Sequence, residues 1–173
     1  MNTLKTKHKN PDKNKIISKS PSETFRIAEK FALRLPDGPI TVALYGNLGT
    51  GKTCFTQGVA LALGVNQPVS SPTFTIINEY RGNRIIFHAD LYRIKETNDL
   101  VSLGLDDCLS SNAVTLIEWA ERIEPYLPNN TIYVYFTIPP DTKSMNTREI
   151  KIDDPNRLFS GSDWTHPKNG DTK

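Results

Sequence analysis

Apolar positions switch between helical and strand spacing several times along the chain. Phe25, Ala28, Phe31, Ala32 and Leu35 recur at the three-to-four spacing of a helix with one buried face. Ser20 supplies an N-cap, Pro21 suits the first helical position, and Glu23 completes a capping box. Pro36-Asp37-Gly38-Pro39 ends that helix, and ITVALY (40–45) follows as an unbroken apolar run, the pattern of a central strand buried on both faces. After a glycine-rich loop, KTCFTQGVALALG reads as a second helix ending at Gly64. FTIINEY (74–80) and RIIFHAD (84–90) flank Arg81-Gly82-Asn83, an antiparallel hairpin with a three-residue loop. Residues 96–111 suggest short helical pieces. AVTLIE (113–118), TIYVYFTI (131–138) and REIKI (148–152) are further strands.

These alternations predict an α/β fold: one mixed, mostly parallel sheet with helices on both faces and a central β-hairpin. Composition then sets its limits. Residues 1–19 hold six lysines and one aspartate, a formal +5, whereas the whole chain is only +2. The body is therefore mildly acidic, and the basic balance belongs to the arm. Without arginine or aromatic residues among its lysines, that arm reads as solvated and disordered, with contact to RNA or another polyanion as the alternative. The expected organisation is a lysine-rich arm over 1–19, one domain over 20–153 and a flexible tail over 154–173, where apolar residues thin out. No signal-peptide or membrane-spanning pattern occurs. Cys54 and Cys108 have neither disulfide-framework nor metal spacing, so they read as buried free thiols of a cytoplasmic protein.

The chemistry is concentrated in GNLGTGKT (46–53). Gly46, Gly51, Lys52 and Thr53 meet the pattern G-x-x-x-x-G-K-[ST], placed between an apolar strand and a helix. Gly46, Gly49 and Gly51 let the backbone turn amides inward, and Asn47, Leu48 and Thr50 complete the loop. The following helix aims its positive end at the same anion. Lys52 brings a full charge to phosphate oxygens, and the Thr53 hydroxyl can ligate Mg²⁺. A metal-bound nucleotide also needs a carboxylate at a strand end. Asp90 ends IIFHAD and Glu118 ends VTLIE, and each could instead pair with Arg93 or Arg122. His88 shares the strand face of Asp90 and could orient it. Trp119, Tyr92 and Arg93 are either walls of the site or core.

Four segments in this order, GNLGTGKT, SSPTF, HADLYR and LIEWAER, resemble the TsaE (YjeE) family, small P-loop ATPases of bacterial tRNA threonylcarbamoyladenosine (t6A) synthesis. The resemblance spans about Ser20 to Ile152. It implies ATP and Mg²⁺ as cofactors, with residues 46–53 and the adjoining Cys54 around the phosphates. Thr53 and Glu118 would serve the metal. Lys52, Asp90 and Glu118 would be the catalytic set, with Asp90 favoured for positioning water. Ser71, Pro72, Thr73 and Phe74 would form one segment responsive to the γ-phosphate, with Thr73 in nucleotide contact, and His88 to Arg93 a second. Arg148 would flank adenine, and Thr24 is a weaker candidate there. Asn47, Thr50 and Cys54 depart from the Asp, Ala and Thr usual at those family positions, and Cys54 reads as a helix-packing position.

The function so implied is slow ATP hydrolysis in support of t6A modification. The partners would be the threonylcarbamoyl transferase (TsaD-like) and its non-catalytic paralogue (TsaB-like), with tRNA met through them. Two alternatives remain open: a small P-loop kinase for a metabolite or nucleotide, and a nucleotide-dependent binding module with incidental hydrolysis.

Overall fold

The computed structural model describes residues 15–72, 75–94, 104–140, 142, 144–155, 158 and 159. The elements in chain order are β1 (Lys15–Ser18), α1 (Pro21–Ala32), β2 (Ile40–Tyr45), α2 (Lys52–Ala62), β3 (Ile77–Arg81), β4 (Ile85–Asp90), α3 (Leu105–Ser110), β5 (Val114–Glu118), two 3-10 turns (Ala120–Arg122 and Glu124–Tyr126), β6 (Ile132–Thr137) and β7 (Arg148–Asp153). The strands form one seven-stranded sheet in the order β1-β7-β6-β2-β5-β4-β3.

β6, β2, β5 and β4 run parallel, while β7 and β3 run against their neighbours. β2 lies between β5 and β6, which explains why ITVALY has no polar alternation: both of its faces are covered. Side chains alternate across the sheet. Val42, Leu44, Ile86, Val114 and Leu116 pack under α1 and α2, whereas Ala43, Ala89 and Ile117 meet Leu91, Leu105 and Ile123 on the opposite face. The parallel strands all end at the same edge. Tyr45, Asp90 and Glu118 therefore finish together, at the edge where open α/β sheets bind ligands.

Local signals account for most boundaries. The Ser20 hydroxyl accepts from the Glu23 amide, and Pro21 opens α1 as expected. The Glu23 carboxylate reaches back one residue further than a capping box requires, to the Lys19 amide at 2.7 Å. The first hairpin strand begins at Ile77, and its loop is Gly82-Asn83-Arg84, one residue later than the sequence suggested.

Both domain limits need correction. Order extends upstream of Ser20, because Lys15–Ser18 pairs with Arg148–Lys151 as an edge strand. Ile16 and Ser18 point inward there, so four residues assigned to the arm belong to the sheet. Downstream, Phe159 is buried and stacks on Phe31 at 4.8 Å between ring centroids, so the segment after Asp153 does anchor itself. The rest of the arm (1–14), the tail from 160 and the stretch 95–103 lie outside the described residues. Among the described residues, no helix is long and apolar enough to cross a membrane.

Candidate nucleotide site

The loop after β2 is shaped by its glycines. Gly46, Gly49 and Gly51 have φ of +143°, +76° and +102°, where a side chain is strained. At Gly46 space is lacking too, since a Cβ would lie 2.6 Å from the Phe136 carbonyl oxygen and 2.9 Å from Thr50 Oγ1. Thr50 Oγ1–H donates to the Asn47 carbonyl at 2.8 Å, closing the loop on itself. Arg148, from β7, takes up the loop's outward carbonyls: Nε donates to Thr50 O at 3.1 Å and Nη2 to Gly49 O at 3.0 Å.

The two long helices begin differently. α1 has its Ser20 side-chain cap, whereas α2 starts from left-handed Gly51 with no side-chain cap. Helix starts need partners for their first amides, and an anion meets that need while matching the helix dipole. These amides front a hollow of about 410 Å³ whose floor includes Lys52, Thr53, Asp90 and Glu118.

Lys52 is buried. Its Nζ donates to Gly46 O at 2.6 Å and Asn47 O at 3.1 Å, and lies 4.1 Å from the centre of the Trp119 ring. Burial pulls its pKa down, while Glu118, Glu121 and Asp90 pull it back up. Thr53 Oγ1–H donates to Glu118 Oε2 at 3.0 Å, and the other carboxylate oxygen, Oε1, meets His88 Nε2, also at 3.0 Å. Asp90 is more accessible. It accepts the Ser71 hydroxyl on Oδ2 and the Tyr92 amide, at 3.0 Å, on Oδ1. Trp119 and Ile76, both in the wall, hold φ of +59° and +64°, values uncommon for any residue but glycine and rare for a β-branched one.

Most of the predicted residues thus converge: the loop from Leu48 to Thr53, Asp90 and Glu118 line one hollow, with Ser71, Pro72, Tyr92, Arg93 and Trp119 around it. Cys54 turns its thiol away, donating from Sγ to the Pro21 carbonyl of α1 at 3.3 Å, so only its backbone is left for phosphate contact. Thr24 sits behind the loop, its hydroxyl bonded to Ser18 at 2.8 Å. Thr73 and Phe74 lie outside the described residues. The partner of His88 is Glu118, not Asp90, which shares its strand face. The parallel register explains this, because Asp90 stands beside Glu118 and His88 beside Leu116, which puts the imidazole beneath the neighbouring strand's carboxylate. The Arg148 brace and the Ser71–Asp90 contact also escaped the sequence. Both join residues far apart in the chain with no local signal.

The residues fit a metal-bound nucleotide better than a free metal ion. Among the described residues no group of three or more His, Cys, Asp or Glu comes together. In the hollow the Thr53 hydroxyl meets the Glu118 carboxylate with Asp90 nearby, an incomplete donor set of the kind Mg²⁺ uses when phosphates and water supply the rest.

Known proteins resemble this chain in sequence and fold. The family model described as "Threonylcarbamoyl adenosine biosynthesis protein TsaE" matches residues 18–150. The TsaE protein of Treponema pallidum is 34% identical over 138 residues, 80% of this chain and 98% of that protein. The Bacillus subtilis TsaE protein is 40% identical over 116 residues, 66% of this chain and 72% of the relative. The crystal structure of YdiB from Bacillus subtilis superposes with a TM-score of 0.69 at 34% identity, covering 84% of this chain and 88% of that one. With its P-loop, paired acids and mixed sheet in the same chain, the protein belongs to the TsaE family.

Proposed function

We propose that this chain is the ATP-binding and slowly hydrolysing subunit of tRNA t6A formation, the process named in its relatives. The observation that carries the nucleotide reading is the Thr53–Glu118 hydrogen bond, set under a helix start with no side-chain cap and a glycine loop whose Gly49 and Thr50 carbonyls are taken up by Arg148. Loop residues 46–51 and the first amides of α2 would cradle the phosphates. Lys52, now bonded to two loop carbonyls, would swing its ammonium to the β- and γ-phosphate oxygens. Thr53 and Glu118 would hold Mg²⁺, which supplies neutralisation of the charge that develops as the terminal phosphoryl leaves.

The two acids divide the work. Glu118 is 3% exposed and has both oxygens committed, which suits a fixed ligand. Asp90 faces the hollow and is held by a Ser71 hydroxyl that can let go, which suits a group that accepts and orients the attacking water. Ser71 belongs to the SSPTF segment, so its contact couples that segment to Asp90. Turnover by the isolated chain is slow, and the transferase with its paralogue supply the context in which it matters.

Calorimetry with Mg-ATP tests this. Wild type binds, Lys52→Ala gives no heat at millimolar nucleotide, and Asp90→Ala binds but does not hydrolyse. Equal hydrolysis by wild type and Asp90→Ala removes the role given to that acid. A pull-down with and without ATP that recovers neither the transferase nor its paralogue removes the partners.

A further inference from the structure

We propose that His88 is a positioning residue that locks Glu118 in its metal-holding rotamer and thereby sets the affinity for metal-bound nucleotide; this rests on the nucleotide reading above. His88 is 0% and Glu118 3% exposed, and they meet at 3.0 Å between Nε2 and Oε1. The other imidazole nitrogen, Nδ1, is buried with no hydrogen-bond partner among the described residues. A proton there would be a buried donor with nothing to bond, so the ring carries its proton on Nε2 and gives it to the carboxylate.

This donor determines where the other oxygen points. A glutamate with one oxygen bonded to Thr53 could still rotate about its terminal torsion, which is broad and nearly two-fold. With Oε1 held from beneath by an imidazole fixed in β4, Oε2 stays on the Thr53 side. The geometry parallels the outer partners of metal ligands, whose loss typically costs ~10–100-fold in metal affinity. A histidine that merely filled space would be served as well by an apolar side chain, and would not need its one donor aimed at the one carboxylate that touches Thr53.

The test uses the full chain and fluorescent ADP, titrated in Mg²⁺ and again in EDTA, with Mn²⁺ binding followed by electron paramagnetic resonance. For wild type, metal tightens nucleotide binding. In His88→Leu the metal-dependent gain shrinks by about tenfold or more, while affinity in EDTA stays within about twofold. His88→Gln, whose amide can donate near the Nε2 position, recovers most of the gain; His88→Asn, which cannot reach, does not. If the leucine variant does not fold, the Gln and Asn pair decides. An undiminished metal gain in folded His88→Leu, or equal gains in the Gln and Asn variants, overturns the proposal. A wild-type protein that shows no metal gain at all overturns the nucleotide–metal reading instead.

Discussion

Single side chains in this molecule are placed by partners distant in sequence. Glu118 is the clearest example, reaching Thr53 on one side and His88 on the other. The type and spacing of GNLGTGKT made the cradle legible, since few alternatives explain a lysine and threonine directly after the third glycine. Which acid serves which role was not legible, because that depends on strand register and on which oxygen meets which donor. Cys54, read both as a phosphate neighbour and as a helix-packing position, turns its thiol to α1. Burial pushes the pKa of both Cys54 and Cys108 up, so at a given pH less thiolate is present than in free cysteine. Alkylation by iodoacetamide at pH 8 should therefore be slower than for free cysteine and should accelerate on denaturation. Native-state labelling at the rate of free cysteine would contradict this burial.

Between elements, α1 and α2 pack closely. Gly58 faces α1, and a Cβ there would lie 2.6 Å from the Phe25 carbonyl oxygen and 2.7 Å from Ala28 Cβ. In an exposed helix, replacing glycine by alanine stabilises by about 1 kcal/mol. Here overpacking dominates, so Gly58→Ala should destabilise by about 1–3 kcal/mol, visible as a lower Tm. A rise in Tm would mean that the helices can separate without cost. Element identity was readable from apolar periodicity because each of these segments has a buried face or two. The start of β3 was less so: Ile76 adopts a left-handed conformation that no local pattern announces, and the strand begins only after it. β1 escaped for a different reason. Its four residues lie next to lysines, and its strand character comes from pairing with β7 rather than from its own composition.

At the scale of the molecule, the edge that carries the candidate site is built by three parallel strand ends, while the antiparallel strands extend the sheet away from it. Phe159 closes the far side of the same core by stacking on Phe31, which in turn packs against Phe55 of α2 at 5.2 Å. Phe159→Ala should cost about 3 kcal/mol of stability while leaving nucleotide affinity of the folded protein within about twofold, since the ring lines no part of the hollow. Denaturant titration beside calorimetry separates the two effects, and a selective loss of affinity would refute that separation. The seating of Phe159 was hidden because the adjacent pair Leu158-Phe159 in a polar stretch carries no periodicity.

The pairing of β1 with β7 bears on how the protein is made. A ribosome releases β1 before β7, the strand it pairs with, so Ile16 and Ser18 wait uncovered until everything between the two strands has been made. The lysines that crowd this stretch keep a lone, unpaired ribbon in water and away from other nascent chains until its mate arrives.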